Sequence, residues 1–146
     1  MKPSEAKALA IKAHANQTRR DGSPYHTHPI TVAAMLTEPS EQVVAYLHDV
    51  IEDCPGWNLI SDLETVYQIS DPEQTEYNLS KEEYYALTAI TQNPDEPVSD
   101  YIKRVSTDPI AIKVKIADMF HNTSDNPTTK NKQKYMTNLK YLLTKL

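Results

Sequence analysis

Residues 45–53, with the sequence AYLHDVIED, place one imidazole and three carboxylates within a short segment. Apolar residues recur through this region at helical spacing, so we predict that one helix runs through the segment. On that helix His48 lies one turn from Glu52, and Asp49 lies one turn from Asp53. Carboxylates crowded beside a buried apolar stripe repel one another and lose hydration, and a divalent cation would relieve both costs. The alternative from these residues alone is an ordinary helix whose polar face is solvated.

Two more candidate ligands lie far from this segment in the chain. His28 precedes Pro29, which suits the first turn of a helix, so the His28 imidazole would be held at a helix start. Asp118 lies within an apolar run and needs a partner if it is buried. That partner is either a metal ion or a cation of the chain, for which Lys115 and Arg104 are the candidates.

These residues form a mixed set of two imidazoles and two carboxylates: His28, His48, Asp49 and Asp118. Nitrogen and oxygen ligands together suit Mn²⁺, Fe²⁺ or Zn²⁺ better than Ca²⁺, which prefers oxygen alone. The pattern differs from the HExxH motif of zinc proteases, because only one histidine lies on the central helix.

Two adjacent arginines, Arg19 and Arg20, lie beside a loop that contains glycine and proline. Guanidinium groups match phosphate oxygens in geometry, so this loop is either a phosphate clamp or an ordinary solvated loop. Of the other histidines, we expect His14, within the first helix, to be packed or to cap the helix, and His26 to point away from the site.

The composition of the chain favours a single helical domain. Its 146 residues are 39% hydrophobic and 24% charged, and they include 2 glycines against 10 prolines, which leaves little room for hairpins. We therefore expect residues 1–146 to form one compact all-α domain. A net charge of -5 argues against a protein that coats nucleic acid. The single Cys54 excludes an intramolecular disulfide and a cysteine-cluster zinc site.

We find neither a signal peptide nor a membrane-spanning run, so we expect a cytoplasmic protein without a membrane partner. The sequence leaves the oligomeric state open.

Apolar spacing and capping residues predict the individual elements. Helices are expected from Ser4 with Ala8, Ile11, Ala13 and Ala15 on the apolar side, from Pro29, from Ser40 as the cap of the central helix, and over 59–67 with Asn58 as cap. Further helices are expected after a Ser80–Glu83 capping box, over 99–105, after Asp108 with Pro109, and over 129–146. Residues 68–78 resemble a polar loop, with Asp71, Glu73 and Glu76 solvated.

The chain resembles the HD superfamily of phosphohydrolases, and most of all the hydrolase domain of Rel/Spo-type enzymes and their small stand-alone relatives. Those proteins degrade the alarmone guanosine 3',5'-bis(diphosphate). The likeness rests on residues 13–25, His28 with Pro29, residues 47–53, residues 101–105, and residues 114–118 followed by His121 and Asn122.

This resemblance implies an all-helical domain with one divalent ion, Mn²⁺ in the alarmone hydrolases, with Fe²⁺ and Zn²⁺ as alternatives. Its ligands would be His28, His48, Asp49 and Asp118. Such an ion lowers the pKa of a water molecule and polarises a phosphoryl oxygen. Glu52 and Asp53 match the pair beside that water, where one of them would orient the water or accept its proton.

The resemblance also implies a small anionic nucleotide as substrate, with pyrophosphate released from its 3'-diphosphate. Arg19 and Arg20 match the basic loop beside the nucleotide, and Asn122 matches an asparagine that contacts it. Residues 123–125, Thr-Ser-Asp, stand where the family usually has an arginine and then a threonine near the base. This departure keeps two alternatives open: a phosphohydrolase for another (deoxy)nucleotide, and a non-catalytic module that binds a nucleotide.

Overall fold

The computed structural model describes residues 1–124 and 129–146. Within these ranges the chain forms helices and one small antiparallel sheet. The elements are α1 (Pro3–Ala13), α2 (Thr27–Ala34), α3 (Pro39–Leu47), α4 (Val50–Asp53), β1 (Asn58–Ser61), β2 (Tyr67–Ser70), β3 (Glu76–Asn78), α5 (Lys81–Ile90), α6 (Val98–Val105), α7 (Pro109–Ser124) and α8 (Thr129–Leu143). The predicted helical fold is confirmed, and the sheet is an addition to it.

Capping chemistry explains where several helices begin. At α5 the Ser80 hydroxyl accepts a hydrogen bond from the Glu83 amide, and the Glu83 carboxylate accepts one from the Ser80 amide, as predicted. At α7 the Asp108 carboxylate accepts hydrogen bonds from the first free amides of the helix. The prediction for Ser40 is wrong, because Glu38 is the N-cap of α3 and Pro39 occupies the first turn.

The central helix is broken where the sequence predicts continuity. Helix α3 ends at Leu47 and α4 begins at Val50, with Asp49 at φ -101° and ψ -4°. The His48 imidazole donates from Nδ1 to the Ala45 carbonyl oxygen at 2.6 Å. In a continuous helix that carbonyl would accept from the Asp49 amide, so the side chain competes with the backbone at the break.

The sheet occupies residues for which a helix and a polar loop are predicted, and both predictions are wrong. β2 is the central strand, paired antiparallel with β1 through Leu59 and Ile69 and with β3 through Ile69 and Tyr77. The turns take positive φ at Leu63 and Gln74, at 65° and 66°, without using glycine. Aspartate side chains compensate, since Asp62 Oδ1 and Asp71 Oδ1 accept hydrogen bonds from backbone amides within these turns.

Asp71 is buried, which corrects its prediction as a solvated residue, whereas Glu73 and Glu76 are exposed as predicted. Its carboxylate accepts hydrogen bonds from Lys12 Nζ at 2.9 Å and from the Tyr77 hydroxyl at 3.1 Å. These bonds tie the sheet to α1.

We expect Asp71→Asn to lower the melting temperature by a few degrees at neutral pH. The hydrogen bond from Lys12 is the main cause that lowers the folded-state pKa of Asp71 to about 2, below the about 3.9 of an unfolded chain. Ionised Asp71 therefore stabilises the fold above pH about 4, and this contribution is lost as the pH falls toward the folded value.

Thermal unfolding at pH 7, 5 and 3.5 gives the melting temperatures of wild type and variant, and the difference between these temperatures should be smallest at pH 3.5. Glu73→Gln is the control, because Glu73 also lies near Lys12, at 3.6 Å, but is 76% exposed. A difference that is the same at all three pH values would contradict the assignment.

Helix α1 buries a different face from the one predicted. Ala6, Leu9 and Ala10 are buried, whereas Ala8, Ile11 and Ala15 are exposed, and Ala13 is half-buried. The buried residues face α3, which also packs on α2 and α7. Each alanine gains little from burial, so the position of the neighbouring helix decides which side of α1 is buried.

One hydrophobic core joins the helices and the sheet around α3, whose Val43, Val44 and Leu47 are completely buried. Tyr101 and Ile102 of α6 point inward as predicted, and Leu142 buries α8 against the core. Within the described ranges, no helix has both the length and the apolar character needed to cross a bilayer.

Candidate metal centre

Four side chains from distant parts of the chain converge beside α3. His28 comes from the first turn of α2, His48 and Asp49 from the break between α3 and α4, and Asp118 from α7. His28 Nε2 lies 2.8 Å from Asp118 Oδ1 and 3.6 Å from Asp49 Oδ2. His48 Nε2 lies 3.1 Å from Asp49 Oδ2 and 3.4 Å from Asp118 Oδ1. The structure thus brings together all the residues predicted as metal ligands.

The break in the central helix lets two consecutive residues face one site. Neighbouring side chains on a continuous helix point about 100° apart. The turn at His48 and Asp49 removes this restriction, so both residues face the cluster with His28.

His48 supplies the observation that tests whether an ion fits here. In the neutral ring the single proton lies on Nδ1, which donates it to the Ala45 carbonyl oxygen, so Nε2 then presents a lone pair. That buried Nε2 has no hydrogen-bond partner among the described residues, although two carboxylate oxygens lie within 3.4 Å. Bonds of about 2.1 Å to one ion place neighbouring ligand atoms roughly 3 Å apart. The donor set therefore fits a divalent cation.

The charges of the cluster also favour a cation. Burial acts to raise the pKa of Asp49, but without an ion a protonated His48 beside it outweighs burial and lowers that pKa to about 2. A cation bound at His48 Nε2 would take the place of that proton and of its positive charge. Burial likewise acts to raise the pKa of Asp118, and Lys115 with the two histidines holds it well below the usual range. Both carboxyl groups are thus ionised, as metal ligands must be.

Three further residues hold the ligands from outside the cluster. The sequence names Lys115 as a candidate partner of Asp118 and assigns no site role to Tyr25 or His121. The Tyr25 hydroxyl donates to Asp49 Oδ2 at 2.7 Å, and Lys115 Nζ donates to Asp118 Oδ2 at 2.9 Å. His121 Nδ1 lies 2.6 Å from His28 Nδ1. The sequence signal that could indicate a site role for His121 is its position three residues after Asp118, which places both residues on the same face of a helix.

Of the two cations that the sequence offers as partners of Asp118, Lys115 is the one that contacts it. The prediction for Arg104 is wrong. Arg104 instead binds Glu96 and the carbonyl oxygens of Thr88 and Thr91. Arg104 therefore fastens the segment that follows α5.

Glu52 and Asp53 lie on α4, exposed at the edge of the cluster, and each offers an oxygen within 4.8 Å of Asp49. Glu52 Oε1 accepts a hydrogen bond from the Gln92 amide at 2.8 Å. Desolvation by neighbouring protein atoms, with repulsion from Asp49 and Glu52, raises the pKa of Asp53 to about 6. Desolvation also raises the pKa of Glu52. The pair is placed to handle a proton beside the cluster.

The predicted substrate contacts fall in two places. Arg19 and Arg20 lie in a tight loop closed by a bridge between Thr18 and Pro24, and Arg20 is exposed. Asn122 lies one turn after Asp118 on α7, and its amide donates to Asp118 Oδ1 at 3.1 Å.

The two histidines set aside by the sequence lie outside the ligand cluster. His14 is the C-cap of α1 instead of lying within it, and it is fully buried with Nδ1 bonded to Gln17 at 2.7 Å. His26 is the N-cap of α2 and is half-buried.

The chain is similar in sequence to several bacterial proteins. It is 34% identical over 122 residues to the bifunctional (p)ppGpp synthase/hydrolase SpoT of Escherichia coli, a match that covers 81% of this chain and 17% of that protein. It is 30% identical over 125 residues to the GTP pyrophosphokinase rsh of Brucella ovis, covering 82% of this chain and 16% of that protein. The chain therefore spans only a small part of the length of these relatives. No protein-family model matches the chain.

The fold is similar to that of a solved structure described as a metazoan orthologue of SpoT that hydrolyses ppGpp. The superposition has a TM-score of 0.67 and covers 98% of this chain and 84% of that one, at 21% identity. This likeness concerns the fold alone.

A helical fold that gathers two histidines and two aspartates around α3 is that of an HD-type domain. Within that class, the chain belongs with the Rel/Spo-type proteins, of which SpoT and rsh are the relatives compared above.

Proposed function

We propose that this chain is a metal-dependent hydrolase that removes the 3'-diphosphate of guanosine 3',5'-bis(diphosphate) as pyrophosphate. The observation that carries the proposal is the buried His48 Nε2 where Asp49 and Asp118 meet, because this atom has no hydrogen-bond partner within residues 1–124 and 129–146. SpoT of Escherichia coli, which is 34% identical, is a bifunctional (p)ppGpp synthase/hydrolase, and this supports the choice of substrate.

In this proposal His28 and His48 bind the ion through Nε2, and Asp49 and Asp118 bind it through their carboxylates. Mn²⁺ is our first choice on the resemblance to the alarmone hydrolases, and Fe²⁺ and Zn²⁺ are alternatives that the mixed nitrogen and oxygen set suits equally. When bound, the ion lowers the pKa of a water molecule and neutralises charge on a phosphoryl oxygen.

The remaining residues divide the work of binding and proton transfer. Asp53 accepts the proton of the attacking water, since its carboxylate lies exposed at the edge of the cluster with an oxygen within 4.8 Å of Asp49. Glu52 orients that water, because the hydrogen bond from the Gln92 amide holds its carboxylate in place. The water oxygen then bonds to the phosphorus attached to the ribose 3'-oxygen, and the bond between that phosphorus and the 3'-oxygen breaks. The 3'-oxygen takes the proton that Asp53 accepted, and pyrophosphate and guanosine 5'-diphosphate are released.

A nucleotide panel tests this function. Protein loaded with Mn²⁺ is incubated with guanosine 3',5'-bis(diphosphate), nucleoside triphosphates, deoxynucleoside triphosphates and nucleoside monophosphates, and the products are separated by chromatography. We expect pyrophosphate from the alarmone. If only another class of nucleotide is hydrolysed, the assignment of the alarmone as substrate is wrong. Tight binding of a nucleotide without hydrolysis would indicate a binding module.

One observation favours the other (deoxy)nucleotides as second candidates. Thr123 and Ser124 stand where the family usually has an arginine and then a threonine near the base. Their hydroxyls instead donate to the carbonyl oxygens of Phe120 and His121, at 2.9 and 2.6 Å. Asp125 lies outside the described residues. The two hydroxyls are thus already engaged by their own helix.

We expect Arg20→Ala to raise KM by roughly tenfold, the effect of one lost charge-assisted hydrogen bond, with kcat nearly unchanged. A phosphate clamp binds the ground state and the transition state alike, so its loss weakens affinity for substrate. Arg19→Ala should act in the same direction. Initial rates across a range of alarmone concentrations measure both constants.

Lys7→Ala is the control, because Lys7 is an exposed cation on α1. A fall in kcat at constant KM would contradict the clamp.

We further propose that residues 1–146 act as one domain. The buried residues form a single core cluster to which α1 and α8 both contribute.

A further inference from the structure

We propose that His121 is a positioning residue. Its Nδ1 accepts a hydrogen bond from the Nδ1–H group of His28, and this bond keeps the lone pair of His28 Nε2 directed at the metal ion. This inference rests on the proposed metal centre and adds to it a residue that does not itself bind the ion.

Helix α7 engages both nitrogens of one imidazole. Asp118 Oδ1 lies 2.8 Å from His28 Nε2, and His121 Nδ1 lies 2.6 Å from His28 Nδ1. Asp118 and His121 are three residues apart, so they occupy the same face of the helix. His28 is almost completely buried, and its ring is therefore fixed from two sides.

The two imidazoles meet edge to edge. Their planes differ by 13° and their centroids are 4.9 Å apart. A separation of 2.6 Å between the Nδ1 atoms is shorter than the roughly 3.5 Å between carbon atoms in contact, so the rings are not stacked face to face. The facing nitrogens instead share one hydrogen bond, and one of them must carry the proton while the other accepts it.

Metal binding decides which nitrogen is the donor. A bound ion takes the lone pair of His28 Nε2, so the remaining proton of the neutral ring lies on Nδ1. His121 Nδ1 must then be the acceptor. Loss of this acceptor leaves a buried N–H without a partner and frees the ring to adopt the other tautomer, and both effects weaken the metal site.

Two substitutions separate hydrogen bonding from packing. His121→Phe keeps a ring of similar shape but removes the acceptor, whereas His121→Asn loses the ring but keeps an oxygen near the position of Nδ1. If the acceptor matters, Mn²⁺ affinity falls about 10- to 100-fold in His121→Phe and stays within a few-fold of wild type in His121→Asn. If packing alone matters, the order is reversed.

Mn²⁺ affinity is measured by isothermal titration calorimetry on the full chain, with circular dichroism as the check of folding. His26→Phe is the matched control, since His26 lies two residues from His28 and outside the ligand cluster. Wild-type affinity in His121→Phe, or an equal loss in both His121 variants, would overturn the inference. A wild-type protein that binds no Mn²⁺ would instead overturn the metal centre itself.

Nitrogen NMR of the wild-type protein loaded with diamagnetic Zn²⁺ provides a second readout that needs no variant. We expect His28 to carry its proton on Nδ1 and His121 to carry none on Nδ1. A proton on Nδ1 of His121 would overturn the inference.

Discussion

Asp49→Ala is expected to lower Mn²⁺ affinity by more than the roughly 10- to 100-fold typical of a lost outer partner, because Asp49 is itself a proposed ligand. Its Oδ2 lies 3.1 Å from His48 Nε2 and 3.6 Å from His28 Nε2, so one substitution removes an oxygen shared by both imidazoles. Turnover of the alarmone should fall with the metal. The helices should persist, since the Asp49 side chain lies at the site and the core is formed by other residues.

Elemental analysis after dialysis against Mn²⁺ measures the metal content, and circular dichroism measures helix content. Asp95→Ala is the matched control, because Asp95 is an exposed aspartate outside the metal cluster. Full metal content in folded Asp49→Ala protein would show that the site assignment is wrong.

Asp53→Asn and Glu52→Gln are expected to reduce turnover by roughly 10²- to 10⁴-fold while the metal content is unchanged. Asp53→Asn removes the proposed base, and its amide cannot accept the proton of water at neutral pH. Glu52→Gln keeps an oxygen that can accept from the Gln92 amide, so it tests the charge of Glu52 with little change in geometry. Asp53→Asn should therefore have the larger effect.

Single-turnover kinetics with excess Mn²⁺-loaded protein separate chemistry from substrate binding. Glu82→Gln is the control, since Glu82 is an exposed carboxylate on α5. Wild-type rates in both site variants would refute the assigned roles, whereas loss of metal from either one would identify that residue as a ligand.

Sequence alone was sufficient where the determining interactions are local. The capping box of Ser80 and Glu83 and the cap at Asp108 are confirmed, because each joins residues only a few positions apart. The candidate ligands could also be chosen from sequence, since an acid such as Asp118 within an apolar run requires a partner wherever the chain folds. Family resemblance then supplied the order of the motifs.

Tertiary structure decided the features that depend on residues distant in sequence. His28 meets Asp118 and His121 across separations of 90 and 93 residues, and no local pattern encodes the hydrogen bond between the two imidazoles. The burial of Asp71 depends likewise on Lys12, which is 59 residues away.

The sheet and the helix break were missed for another physical reason. Tight turns with positive φ usually contain glycine, but here the side chains of Asp62 and Asp71 stabilise them by accepting hydrogen bonds from backbone amides. A low glycine count therefore does not exclude hairpins. The His48 side chain competes for the Ala45 carbonyl and ends α3 within an apolar pattern that continues through it. Periodicity records which side of the chain is apolar, but side-chain competition for backbone groups determines where the helix ends and where His48 and Asp49 point.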